Sequence, residues 1–349
     1  MRARLAAALP DPMCGRTRCT LSDEDIVSAV IGPPSASGEE QQQQPRAHLA
    51  WPQKKNYRPL HNMGPARATP AVTGVRDGGD DPTSSPTIVI ESMVWGVPRG
   101  GGGAASPHSS PSSSSTILVN GRAETVFATP TWARALAAGP EGRAVVLANG
   151  YYEWKRHASG STAPAQPHYV ARADGTPLAL AALVTPPPPG SAAAGAHHPP
   201  CRRYAVLTTS PPKALAWLHD RAPLLLPTPE AVRAWLSVEC GPTPASLKAL
   251  SCASAVEAWP TLTAHPVKLE VGNVRYQAAD CSLDVRQRKG SLGSLFERQA
   301  AAGAAKRVKV EGGGGGQGDQ VDKKQGVKKQ KRMLDAFVVK KDIGGGGGH

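Results

Sequence analysis

No two of the six cysteines in this 349-residue chain are spaced as a C-x-x-C pair. Cys14, Cys19, Cys201, Cys240, Cys252 and Cys281 are scattered, which indicates neither a zinc site nor a disulfide framework and fits a reducing compartment. No metal or other cofactor is expected. Nor is there an apolar run near the ~20 residues needed to span a bilayer, and Leu5 to Leu9 is too short for a secretory signal. A membrane partner is not expected. The Arg-bearing, Ala-rich start keeps an organellar transit peptide open as an alternative. No internal repeat is evident, and aromatic residues make up only 5% of the chain.

What is abundant is glycine and proline, 37 and 34 residues, concentrated in biased stretches that reduce the foldable part to one sizeable core. Polar, low-complexity segments at 32–45, 74–86, 99–115 and 186–200 read as disordered insertions. They interrupt a single domain over 14–285, preceded by an extension at 1–13 and followed by a disordered basic tail at 286–349. That tail holds 15 Lys and Arg against 6 Asp and Glu, a net +9 of the total +13. It should bind phosphates in a salt-sensitive way whatever the core does.

Between the insertions, 87–98, 143–154, 168–184 (with an ADG turn) and 203–209 read as strands, several of them continuous apolar runs buried on both faces. Segments 129–138, 211–218, 228–238 and 243–250 read as helices, three of them opened by Thr-Pro, a cap followed by a residue tolerated in the first turn. The irregular order of strands and helices argues against a doubly wound parallel sheet. The fold class is α+β.

Cys14 directly follows Met13, so a chain starting there, after initiation at Met13 or removal of the extension, would carry a thiol and a free α-amine on adjacent carbons. Such a 1,2-aminothiol condenses with an aldehyde to an imine and closes a thiazolidine. Both groups exchange protons near neutral pH, and Arg16 beside the thiol would favour its thiolate. Further polar residues lie in apolar settings. Glu153, flanked by Tyr152 and Trp154 at a strand end, would be desolvated and ready for proton exchange; the bland reading is a rim Glu paired with Lys155 or Arg156. His219 follows a helix end, as a proton shuttle or a satisfied structural histidine. Asn120, Arg122 and Glu124 alternate, so their side chains would share a strand face, with an amide to orient an oxygen and a guanidinium to fork onto phosphate. Arg58, Asn62, Asn273 and Arg275 supply more donors.

These blocks, CGR at 14–16, YRPLHNMGPARATPAV at 57–72, MVWGVPR at 93–99, NGRAETV at 120–126, GYYEWKR at 150–156, HDRAP at 219–223 and VGNVR at 271–275, resemble in content and order the SOS-response-associated peptidase (SRAP) family. The resemblance implies a mainly β, barrel-like mixed sheet with peripheral helices. It implies an abasic-site sensor in single-stranded DNA and at single-strand/double-strand junctions, acting in DNA-damage repair through a covalent thiazolidine crosslink. Such an enzyme is lyase-like, with a self-processing peptidase activity that would expose the Cys. On the matching positions, Cys14 is the nucleophile, Asn120 the active-site amide, Glu153 the acid/base and His219 the histidine that helps open the sugar ring. Arg16, Arg58, Asn62, Trp95, Pro98, Arg122, Arg221, Asn273 and Arg275 fall to DNA binding. With few aromatics for base stacking, phosphate contacts would dominate the affinity.

In the tail, Lys306, Arg307 and Lys309 resemble a nuclear import signal, placing the protein in the nucleus, and Lys331, Leu334 and Phe337 loosely resemble a peptide that binds the replication sliding clamp. A monomer is expected. Two other readings stay open: an N-terminal-nucleophile thiol peptidase or amidohydrolase, and a non-catalytic nuclear DNA-binding scaffold.

Overall fold

The computed structural model describes residues 15–32, 46–77, 85–98, 117–155, 164–185, 202–237, 241–255 and 262–287, without the side chains of 252–255. The first half of the chain is built from β1 (Arg16–Cys19), α1 (Asp23–Ile31), β2 (His48–Ala50), β3 (Leu60–Met63), β4 (Ala68–Arg76), β5 (Thr87–Trp95), β6 (Val97–Pro98), β7 (Ile117–Leu118) and β8 (Asn120–Arg122). Then come α2 (Pro130–Ala137), β9 (Arg143–Ala148), β10 (Gly150–Lys155), β11 (Gln166–Arg172), β12 (Leu178–Thr185) and β13 (Arg203–Thr209). The last are β14 (Ala222–Pro223), α3 (Pro229–Leu236), α4 (Pro244–Ala255) and β15 (Leu262–Pro266). β4 runs through Arg76, into the segment read as the 74–86 insertion. Among the described residues no helix is long and apolar enough to cross a membrane.

The strands form a five-stranded sheet, β15-β11-β10-β1-β3, a larger sheet running β14-β13-β12-β9-β4-β5-β2 with β8 beside β13, and a ribbon of β6 with β7. This corrects the expected barrel-like sheet. A barrel has no edges, whereas β3, β15, β2 and β14 each pair on one side only, and β13 meets β5 through just two residue pairs. The sheet is mixed, with helices at its periphery, but not closed.

The stretch read as one strand over 143–154 is two. It breaks at Asn149, whose Oδ1 accepts from the Thr20 backbone N–H at 2.7 Å and from its hydroxyl at 3.0 Å. β9 thus stays in the larger sheet while β10 joins the smaller. Gly150 makes the crossing possible, because a Cβ there would lie 2.5 Å from both Val170 O and the Tyr169 hydroxyl. The five-stranded sheet consequently has two different faces. Cys19, Tyr151 and Val170 join the main core, while Tyr152 and Tyr169 pack on Val267, Val271 and Cys281 of the closing segment.

Helix ends follow local chemistry. At α3, Thr228 Oγ1 accepts from Ala231 N–H at 3.3 Å with Pro229 in first place, and at α4 Thr243 and Ser246 cap each other reciprocally. Thr129 before α2 instead donates its hydroxyl back to Thr125 O at 2.9 Å. α1 was not expected; the Ser22 hydroxyl accepts from Asp25 N–H, the Asp25 carboxylate accepts from Ser22 N–H, and Asp23, Glu24 and Asp25 load the first turn with negative charge. The segment read as a helix over 211–218 forms only one 3-10 turn, Lys213–Leu215, closed by i+3 bonds from Leu215 N–H to Pro212 O and from Leu218 N–H to Leu215 O, with the side chains of Leu215 and Leu218, three apart, buried in the core.

Candidate active site

The chain enters β1 at the buried Gly15, and β1 lies antiparallel to β10 with Arg16 opposite Tyr152 and Thr17 opposite Tyr151. Glu153 is the next residue of β10 after Tyr152. It is 4% exposed, accepts from Trp154 N–H at 3.3 Å and lies opposite His168 of β11. Side chains alternate along a strand, so Glu153 shares a face with Tyr151 and, across the ladder, with Thr17 and His168. Its sequence neighbours Tyr152 and Trp154 occupy the other face. The environment of the carboxyl is therefore set by strand pairing and not by the aromatics beside it in the sequence.

The second wall comes from the larger sheet. β8 runs parallel to β13, with Asn120 opposite Val206 and Arg122 opposite Thr208. Trp95, read as a DNA contact, is 1% exposed and stacks on Tyr204 with centroids 6.2 Å apart. Its indole N–H donates to Val119 O at 3.0 Å, which ties down the residue before Asn120. Pro98 is half-buried in the β6–β7 ribbon opposite Ile117. Glu124 lies past the end of β8, so it does not continue the strand face expected for it. Its two carboxylate oxygens accept from Arg221 at 2.7 and 2.8 Å, and this guanidinium holds the Glu124 carboxyl below the usual carboxylate range. Arg221 also donates to Thr208 O at 2.6 Å, so it is a strut between the turn after β8, β13 and the loop carrying His219.

His219 follows the Lys213–Leu215 turn, and its Nδ1 accepts the Arg221 backbone N–H at 3.0 Å. Asp220 Oδ1 lies 2.9 Å from the same nitrogen, which cannot donate and accept at once. The fixed backbone donor prevails over a carboxylate whose side chain is 87% exposed, leaving the ring proton on Nε2. Among the described residues Nε2 has no hydrogen-bond partner. The link between the two walls is His168, whose ring meets that of Trp217 edge-on at 5.1 Å, two residues before His219.

Arg16 lies on the other face of the small sheet. It donates to Asn62 Oδ1 at 3.2 Å, Val271 O at 3.0 Å and Gly272 O at 3.1 Å, with its guanidinium carbon 5.8 Å from the centre of the Trp154 ring. No carboxylate pairs with it among the described residues, and burial pulls its pKa below the ordinary arginine value. Asn62 is fully buried and its amide donates to Val271 O, Asn273 O and Tyr276 O, so it clasps the closing segment. Asn273 Oδ1 accepts from Arg275 N–H at 3.0 Å. Arg122, Arg58 and Arg275 are exposed; Arg58 donates to Lys55 O and Tyr57 O, and none of the three forms an ion pair among the described residues. Cys14, Lys306, Arg307, Lys309, Lys331, Leu334 and Phe337 lie outside the described residues.

The structure thus groups Arg16 with Asn62 and the Asn273 segment, and Asn120 and Arg122 with Arg221, while Glu153 lies opposite His168, whose ring touches Trp217 two residues before His219. Thr17, His168 and Trp217 were not singled out from the sequence. Cross-strand pairing brings Thr17 and His168 to the face of Glu153, and a ring contact with His168 adds Trp217; no spacing rule encodes either. Among the described residues no three of His, Cys, Asp and Glu converge to hold a metal ion.

Burial holds the His168 imidazole below the ordinary histidine value, with its Nδ1–H donating to Gln166 O at 3.0 Å. The same direction holds for His61, by burial and the nearby Arg18. In acid the unfolded chain takes up protons that these folded groups refuse, so stability present above the ordinary histidine pKa, about 6.5, is lost as pH falls below it. Thermal melts from pH 7.5 to 5.0 should show this decline, and His168→Tyr should flatten it. An unchanged slope in that variant would remove His168 from the account.

The match to known proteins follows the same residues. The SOS response associated peptidase (SRAP) family model covers residues 13–274. Abasic site processing protein HMCES of Xenopus tropicalis is 28% identical over 80% of this chain and 81% of its own length. Abasic site processing protein YedK of Escherichia coli (strain K12) is 34% identical over 47% of this chain and 65% of its own. With most of its sequence, from the residue before Cys14 to the loop that Asn62 clasps, matched by one family model, the chain belongs to the SOS response associated peptidase (SRAP) family.

Proposed function

We propose that this protein captures abasic sites in single-stranded DNA through a covalent bond from Cys14 once residue 14 is the mature amino terminus. The reaction is a condensation. The Cys14 nitrogen attacks C1′ of the ring-opened deoxyribose, and proton transfers convert the resulting hydroxyl into a water that departs, leaving an imine. The thiol sulfur then adds to the same carbon while its proton ends on nitrogen, closing the thiazolidine. One C–N and one C–S bond form, the C=O bond is lost as one water, and no oxidant is needed.

One observation carries the reading. Glu153, a carboxyl 4% exposed, sits one residue beyond the strand partner of Arg16, on the strand paired with the one that leads back to residue 14. A buried carboxyl in that place serves the proton transfers of imine formation. His219, with its proton on Nε2, assists opening of the sugar ring, and Asn120 orients the reacting oxygen. Arg16 and Arg122, which form no ion pair among the described residues, take the phosphates. Two relatives named abasic site processing proteins support the same substrate.

The test uses full-length protein purified from its own cells and an oligonucleotide with one abasic site. An adduct that survives denaturant should form with the abasic strand and not with the intact one, and peptide mapping should find the sugar remnant on a peptide that begins at Cys14. A remnant on another residue would overturn the nucleophile. Hydrolysis of peptides with no adduct would favour the thiol hydrolase instead.

A further inference from the structure

Trp51, Trp95, Trp132 and Trp235 are buried and Trp154 is half-buried, but Trp217 is 47% exposed, the one exposed tryptophan among the described residues. Its orientation is nevertheless fixed. The indole N–H donates to Ala214 O at 2.9 Å, and the ring meets the His168 imidazole nearly at right angles, 79°. The ammonium of Lys155 hangs over the same ring, 4.9 Å from its centre. A large aromatic side chain held rigid in water beside an unpaired cation is arranged for a ligand with a flat face and a negative charge.

Resting on the proposed function, we infer that Trp217 is a stacking platform for a nucleobase of the bound single strand, with Lys155 taking the phosphate next to that base. The position fits: His168 lies opposite Glu153 in the ladder, and Trp217 precedes His219 by two residues. The charges fit as well. Lys155 forms no ion pair with a carboxylate among the described residues, and its ammonium meets the Trp217 ring instead. Lys213 adds a second exposed cation in the same turn. Stacking of a base on an indole outweighs an exposed cation–π contact, so an arriving base displaces Lys155 from the ring and leaves its ammonium free for the backbone. Because the indole N–H is already used, the platform reads the presence of a base and not its identity.

The experiment measures equilibrium binding by fluorescence anisotropy, with the full chain and undamaged single strands. In a companion set, one nucleotide at a time is replaced by a baseless tetrahydrofuran residue. Trp217→Ala should weaken binding to the fully based strand by about tenfold, and Trp217→Phe should restore most of it. The wild type should suffer the same loss when one particular base is removed, and Trp217→Ala should then lose nothing further. Equal binding by Trp217→Ala, losses that add at every position, or a wild-type scan with no sensitive base would each overturn the inference. Anisotropy needs no adduct, so failure to crosslink would overturn the proposed function alone.

Discussion

Glu153→Gln is expected to slow adduct formation on abasic single strands by ~10²- to 10⁴-fold, the usual worth of a positioned acid/base group, with little change in stability or DNA affinity. The amide has nearly the shape of the carboxyl it replaces, which matters at a site only 4% exposed. Its oxygen can still accept from Trp154 N–H, the bond that Glu153 makes at 3.3 Å. What it cannot do is exchange a proton during dehydration of the carbinolamine. The rate should be read under single-turnover conditions at saturating DNA, with anisotropy as the control for binding. A rate within threefold of wild type would show that the buried carboxyl is a structural group and that proton transfer runs elsewhere.

Asn62→Leu should lower stability by about 2–4 kcal/mol, the summed effect of removing the several hydrogen bonds its buried amide makes. Leu fills nearly the same volume, so the loss isolates the hydrogen bonds. All three carbonyls lose the Asn62 amide, though Val271 O keeps Arg16, Asn273 O keeps the Tyr276 N–H and Tyr276 O keeps the Cys281 thiol. The Gln277 bridge is untouched, because it uses the backbone N–H and C=O of Asn62. The damage should therefore be local as well as global. Urea unfolding gives the free energy, and hydrogen exchange over 267–287 should rise before the rest of the fold opens. DNA affinity should fall with it, since Arg16 loses the Asn62 acceptor that orients its guanidinium. A stability change below about 0.5 kcal/mol, within the range of an ordinary surface substitution, would mean that Gln277 alone closes the segment.

Residue types and local order carried much of the site into the sequence. Glu153, Asn120 and His219 stood out as candidates because a polar residue inside an apolar run needs a reason to be there, and the blocks around them occur in the order of one family. The strand nature of 87–95, 143–148 and 203–209 was legible because continuous apolar runs bounded by turn residues have few alternatives. Two other candidates make contacts that no local pattern announced. Trp95 looked available for DNA, but its ring closes the core and steadies Val119. Arg221 looked like a phosphate ligand, but a carboxylate and a carbonyl far from it in sequence occupy its guanidinium.

The amino-acid sequence by itself determined the groups that the proposed chemistry draws on: a cysteine directly after Met13, a carboxyl and an imidazole in apolar blocks, and an excess of positive charge. It also determined most elements, since helix caps and apolar runs act over a few residues. The tertiary structure alone decided that the strands form open sheets and not a barrel, because edges are set by which strands meet. It alone decided which side chains share a face with Glu153, because a ladder joins residues many positions apart and every register step exchanges the two faces. For that reason His168 and Trp217, silent in the sequence, stand beside the candidate active site, while Tyr152 and Trp154, the immediate neighbours of Glu153, look the other way.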